Sequence, residues 1–380
     1  MRNLSFKLII IFIATLLSIY SLEIMLSFWN NSSLKAKKWD KNNRSRYSIY
    51  NNLKEKNQNL ALTISPSNYL KNDNYGLLPL SGVSNILTIN CNELGYWSKY
   101  VSDRYGFNNP NDSWDKEEIK YLIIGDSFVH GDCVNKPQDL SNQLRLKIKD
   151  NFGVLNLGYG GNGPLLEYAT LREYFPNKKV HNVLIFFAGA NDLIELIIEK
   201  ENKILKEYLV NDNFTQDLIN KQKIIDRISL NKINEALKKY ENDKKRIIYF
   251  DQIKFKHILY LVNLRHRLMW TFGINIIFKK EREIPFPKEL LTILEKTKEF
   301  VKNKGSKLYF IYLPDYPGDY DGFKTLDRLS YLKIPIINIQ HEVFKKHKDP
   351  LSLFPFRKRG HYTPEGYKLI AEKIFDLTKN

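Results

Sequence analysis

Cysteine is nearly absent from this chain, with 2 residues in 380. Cys91 and Cys133 do not form a Cys-x-x-Cys pair, and without further thiols a tetrathiolate zinc site is excluded. Acidic residues are in deficit, since 42 Asp and Glu face 59 Lys and Arg, which leaves a formal net charge of +17. A charge of that size suits nucleic acid or an anionic surface. The lysines are nevertheless scattered through amphipathic segments, and no nucleic-acid-reading module accompanies them. Nucleic-acid binding is therefore not expected; anionic lipid headgroups or acidic glycans are better partners for the charge. No internal repeat is apparent, and the one glycine-rich run, Asn156 to Pro164, lacks the Gly-Lys-Ser/Thr ending of a P-loop and the spacing of a dinucleotide fingerprint.

What is present is apolar material. The chain is 43% hydrophobic and 13% aromatic, ample for a filled core in one large domain or two ordinary ones. Arg2 and Lys7 lead into an apolar run, Leu8 to Trp29. As a helix this run spans roughly 33 Å, enough for a bilayer core. Glu23 falls near its far end, within reach of headgroups, and Trp29 suits an interface. Ser18-Ile-Tyr and Ser21-Leu-Glu are poor cleavage sites, so residues 1–7 read as a cytoplasmic lead and 8–29 as an uncleaved signal anchor, with a cleaved signal peptide as the alternative. The expected location is a single-pass membrane protein with its domain periplasmic or at the cell surface. Against that orientation stand Lys35, Lys37, Lys38, Arg44 and Arg46, because positive flanks favour the inside. In an oxidising compartment Cys91 and Cys133 are a candidate disulfide, closing a loop of about forty residues worth on the order of 3 to 4 kcal/mol. Two unrelated buried thiols are the other reading.

Residues 30–85 are rich in Asn, Ser and Lys and read as a membrane-proximal linker. From 86 to 380 a main domain is expected. Tyr121-Leu-Ile-Ile, Gly153-Val-Leu-Asn-Leu, Val183-Leu-Ile-Phe-Phe, Lys307-Leu-Tyr-Phe-Ile-Tyr-Leu and Ile334-Pro-Ile-Ile-Asn are short apolar runs separated by helical stretches. That alternation predicts an α/β three-layer sandwich around a mostly parallel five-stranded sheet, closed by a helix from Pro364 to Thr378. A charged, helical insert at about 199–290 interrupts it. Its apolar patch, Ile258 to Phe278 with Trp270, suits a lid, a partner surface, a substrate-selecting cap or a piece of core.

Four motifs fall at the carboxyl ends of these strands, the edge where open α/β sheets bind ligands. Gly125-Asp-Ser-Phe places a serine on a sharp turn, where its oxygen is exposed and its N–H faces a would-be oxyanion; a helix N-cap by Asp126 or Ser127 is the plainer reading. Asn156-Leu-Gly-Tyr-Gly-Gly-Asn-Gly-Pro implies close backbone approach to a ligand oxygen or a neighbouring helix. Gly189-Ala-Asn-Asp offers a side-chain amide as an oxyanion donor, or merely an Asx turn. Gly360-His-Tyr-Thr-Pro-Glu-Gly-Tyr puts His361 just before the last helix.

Taken together and in order, these motifs resemble the SGNH (GDSL-like) hydrolase superfamily, over residues from about Leu122 to Phe375. The resemblance implies Ser127 as nucleophile, His361 as general base, and the Ser127 N–H, Gly161 and Asn191 as oxyanion donors, with Gly160 the neighbouring alternative to Gly161. The family usually carries Asp three residues before the His, where this chain has Lys358. An ammonium has no acceptor for the ring N–H, which leaves Asp349 or Glu365 as the acid, or a Ser-His dyad. The chemistry implied is acyl transfer from an ester-bearing glycan or lipid, O-acetyl groups included, without metal or organic cofactor. Variants on the same residues are an O-acetyltransferase working with envelope-modification partners, or a catalytically silent envelope binding module.

Overall fold

The structure is a computed structural model that describes residues 2–35, 45–71, 76–149, 151–246, 258–271, 286–314 and 326–379. In chain order it runs α1 (Arg2–Lys35), α2 (Arg46–Lys54), β1 (Leu60–Leu62), β2 (Leu87–Ile89), β3 (Lys99–Val101), β4 (Glu118–Ile124), α3 (Ser127–His130), α4 (Leu140–Arg145) and β5 (Phe152–Asn156). There follow α5 (Pro164–Tyr174), β6 (Val180–Phe187), α6 (Gly189–Glu199), α7 (Lys203–Val210), α8 (Gln222–Arg246), α9 (Val262–Thr271), α10 (Lys288–Asn303), β7 (Lys307–Tyr312), β8 (Ile336–Asn338), α11 (Ile339–Glu342) and α12 (Pro364–Thr378). The chain divides into two compact units, one of residues 1–43 and 238–283, the other of 44–237 and 284–380.

In the first unit, α1 holds a 22-residue span, Phe6–Ser27, with mean hydropathy 2.3, and is long and apolar enough to cross a membrane. Glu23 does not reach outward as expected. Its buried carboxylate accepts from the Asn263 N–H (3.0 Å), Asn263 Nδ2 (2.8 Å) and the Leu264 N–H (2.7 Å). The two backbone donors are first-turn amides of α9 that lack intrahelical acceptors, so an acid in an apolar span and an uncapped helix end satisfy one another. The side chains of Trp29 and Trp270, the basic flank 36–44 and the patch beyond Thr271 lie outside the described residues.

The second unit is built on a five-stranded sheet in the order β5-β4-β6-β7-β8, with every neighbouring pair parallel. Period-2 alternation sends Leu122, Ile124, Val183, Ile185, Phe187 and Phe310 to one face, against α5 and α10. Tyr121, Ile123, Leu184, Phe186 and Ile311 go to the other, against α4 and α12. Both faces are dry, so these strands read as unbroken apolar runs. Each fully buried aliphatic or Phe side chain contributes about 1.5–3 kcal/mol.

The segment expected to be a linker departs from that reading. Leu60, Ala61 and Leu62 are buried, as are Tyr69, Leu78 and Leu80. β1 pairs parallel with β2, and β2 antiparallel with β3, in a small second sheet. After β3 the buried Asp103 accepts from the Tyr105 and Phe107 N–H groups (2.9 Å each), Asn109 Nδ2 (2.8 Å) and Trp114 Nε1 (2.7 Å), fixing the loop ahead of β4. The front half of the predicted insert is also core. Leu205 and Tyr208 of α7 and Ile225 and Ile228 of α8 join the main apolar cluster, because their helical spacing presents one apolar stripe to it.

Candidate active site

β4 ends at Gly125, and the chain turns sharply into α3. A Cβ on Gly125 would come within 2.4 Å of Val129 Cγ2, so the turn closes only on glycine. Asp126 is the N-cap, its carboxylate accepting the Phe128 N–H at 2.9 Å. The cap of this motif is therefore Asp126, and Ser127 is the first residue of the helix it caps. Ser127 opens α3, where backbone amides have no intrahelical acceptor.

His361 Nε2 lies 2.7 Å from Ser127 Oγ. On the other side of the ring, Nδ1 lies 3.1 Å from Glu93 Oε1, and the His361 backbone N–H donates to Glu93 Oε2 at 2.7 Å. An ionised carboxylate only accepts, so it fixes the proton on Nδ1 and leaves Nε2 free to take the serine proton. Burial alone would depress the imidazole, but the Glu93 hydrogen bond and charge outweigh it, with smaller help from Asp132 and Asp126, and raise His361 to about 9. Burial would raise Glu93 in turn; its bond to His361 and the imidazolium charge prevail and hold it below the usual carboxylate range. The Phe128 ring packs 4.9 Å from the imidazole.

The carboxylates named from the sequence stand elsewhere. Asp349 is half exposed and engaged by both Arg357 Nη atoms, at 2.6 and 2.8 Å. Glu365 is exposed in the first turn of α12, 3.8 Å from Lys368 Nζ. Two short 3-10 turns, Pro350–Leu353 and Pro355–Arg357, fold Asp349 toward Arg357 instead of toward the histidine. Glu93 was not among the candidates. The signal that points to it is indirect: it follows Cys91 by two residues, while Cys133 follows Ser127 by six.

Of the two glycines, Gly160 faces Ser127, since a Cβ there would lie 3.6 Å from Ser127 Cβ and 3.2 Å from Asp132 Oδ2. Gly161 takes the left-handed φ of 76°, and its open side meets Ser65 Oγ. Asn191 Nδ2 donates to Asp126 Oδ2 at 3.0 Å, which brings the third motif to the first. Asn156 ties the second motif down, its Nδ2 donating to Val129 O at 2.7 Å and its Oδ1 accepting the Gly158 N–H at 2.9 Å.

Cys91 and Cys133 are joined as a disulfide with Cα atoms 4.9 Å apart. Among the described residues, Cys91, Cys133 and His361 form the one cluster with metal-ligand chemistry, and its two sulfurs are bonded to each other. Thiolates are the metal-binding form of cysteine, so the oxidised cluster offers no more than an imidazole.

Comparison of the chain with protein-family models finds no match, and no curated protein matches it. Among solved structures it is similar to a Desulfitobacterium hafniense protein assigned to the lipolytic G-D-S-L family, at 14% identity and a TM-score of 0.35, over 68% of this chain and 99% of that one.

Proposed function

We propose that this chain is a membrane-anchored serine esterase of the SGNH kind, using Ser127, His361 and Glu93 in acyl transfer from an ester. The observation that carries the reading is the unbroken hydrogen-bonded line from Ser127 Oγ through both ring nitrogens of His361 to Glu93. His361 Nε2 takes the proton as Ser127 Oγ attacks the ester carbonyl, and returns it to the leaving alcohol as the tetrahedral adduct collapses. Water then resolves the acyl-enzyme with the same base; a sugar hydroxyl in that place gives the O-acetyltransferase variant of the chemistry. The oxyanion is held by the Ser127 N–H, the Gly160–Gly161 segment and the Asn191 amide, whose second N–H is available beyond its bond to Asp126. Ester groups on extracytoplasmic glycan or lipid are the proposed substrates. A disulfide beside the site, an apolar N-terminal helix and a net charge of +17 support a domain outside the cytoplasm that works near anionic surfaces.

A fluorophosphonate probe should label the protein at Ser127, and Ser127→Ala should abolish labelling and lower hydrolysis of a short-chain aryl ester by about 10⁴-fold or more with the fold intact. Undiminished turnover in Ser127→Ala would place the chemistry elsewhere.

A further inference from the structure

Glu93 lies past the end of β2, in a turn outside the five-stranded sheet that carries Ser127. Two side-chain ties connect that turn to the residues just after the nucleophile. Cys91 is bonded to Cys133, and Asn90 Nδ2 donates to Asp132 Oδ1 at 2.6 Å. Asp132 is itself fixed, accepting from His130 Nδ1 at 2.7 Å while its N–H donates to Ser127 O at 3.1 Å. Cys133 holds a left-handed φ of 67°, a region that costs a residue with a Cβ, and its Sγ sits 3.4 Å from His361 Nδ1. The disulfide thus lies against the base and two residues from the acid.

We propose that the Cys91–Cys133 disulfide is a positioning bond for the triad: it holds Glu93 against His361, so that acyl transfer belongs to the oxidised protein. This rests on the Ser-His-Glu reading above. A dithiol reductant supplies two electrons and two protons, the S–S bond becomes two thiols, and the reductant leaves as its own disulfide. Glu93 then keeps its own bonds to His361, and its turn keeps the Asn90 bond and the bonds between Cys91 and Ser98, without the covalent tie. A displacement of about 1 Å in a catalytic constellation costs about a hundredfold in rate.

The test uses the full chain in detergent, with carbon-labelled histidine and the His361 signal assigned by its absence from His361→Ala. The charged groups facing this ring are Glu93, Asp132 and Asp126, with Ser127 Oγ the neutral partner. In the oxidised protein His361 should titrate near 9. Dithiothreitol should lower kcat on the aryl ester about a hundredfold with little change in KM, and move the titration toward about 6.5, the ordinary value. Reoxidation should restore both, and Cys91→Ser with Cys133→Ser should match the reduced protein. Two free thiols with unchanged rate and titration would overturn the proposal. So would a loss of near-UV circular dichroism on reduction, since the bond would then hold the domain and not the acid. A titration that moves on reduction, in a protein that when oxidised neither turns over ester nor takes up fluorophosphonate, would support the tether and refute the hydrolase reading.

Discussion

The proposed nucleophile and the proposed acid are held in place by different means. Ser127 stands at the end of β4, a central strand laddered on both sides and buried on both faces, so its position follows from a cooperative network. Glu93 stands in the stretch between β2 and β3, two three-residue strands, and is located by individual side-chain bonds and one covalent link. A sheet tolerates the loss of any one contact in its ladder, whereas a turn held by a few ties does not. The comparison therefore predicts that catalysis fails more easily through the small region than through the large one.

The greatest effect belongs to the sheet side all the same, because the proposed nucleophile is there: Ser127→Ala should cost about 10⁴-fold or more in kcat, read by aryl-ester hydrolysis. On the other side, Asp103→Ala should lower stability by about 3–5 kcal/mol, since it strands two backbone amides and the Asn109 and Trp114 donors in a dry site, and denaturant unfolding would measure it. Asn191→Ala should cost about 10²-fold in kcat if it is the proposed oxyanion donor, one of several, with KM near that of the parent. Asp349→Asn and Glu365→Gln should stay within about twofold of wild type, because both carboxylates sit in solvent-screened ion pairs and neither touches the histidine. A hundredfold loss in either would invert the contrast between Glu93 and these two.

The pH dependence of stability separates the regions too. Glu199 at the end of α6 accepts the Leu165 N–H at 2.9 Å and the Leu166 N–H at 3.3 Å, capping α5; burial raises it to about 7 against those bonds. A carboxyl whose folded pKa exceeds its unfolded value binds protons on folding, so stability should fall as pH rises from about 4.5 to about 7. Glu199→Gln should flatten that part of the melting-temperature profile. His361 acts in a higher window: its raised pKa contributes stability fully present below about 6.5 and lost as pH rises through about 9.

Which features were legible in the sequence follows the same division. The strands of the main sheet showed as apolar runs ending in turns, and Ser127 and Asn191 each follow such a run within a few residues, while His361 shows only as a histidine just before the closing helix. The segment 45–85 did not show, because three-residue strands are too short for a periodic signal and its Asn, Ser and Lys content is that of a linker. Glu93 is 268 residues from His361, so no local pattern links the two. The buried role of Glu23 was equally hidden, because its partners on α9 lie 240 residues further along. What a sequence pattern records is a residue's neighbours within one element, and both carboxylates are defined by partners on another.

The pH profile of kcat/KM in Glu93→Gln beside wild type tests the triad most directly. Wild type should rise with pH through half of its plateau near 9, as His361 loses its proton and becomes the base. Glu93→Gln should move that limb toward about 6.5 or below, because burial then acts on the imidazole without the offsetting carboxylate, and should lower the plateau by about 10² to 10⁴-fold. A folded Glu93→Gln protein with the wild-type plateau and an unmoved limb would show that Glu93 does not orient His361.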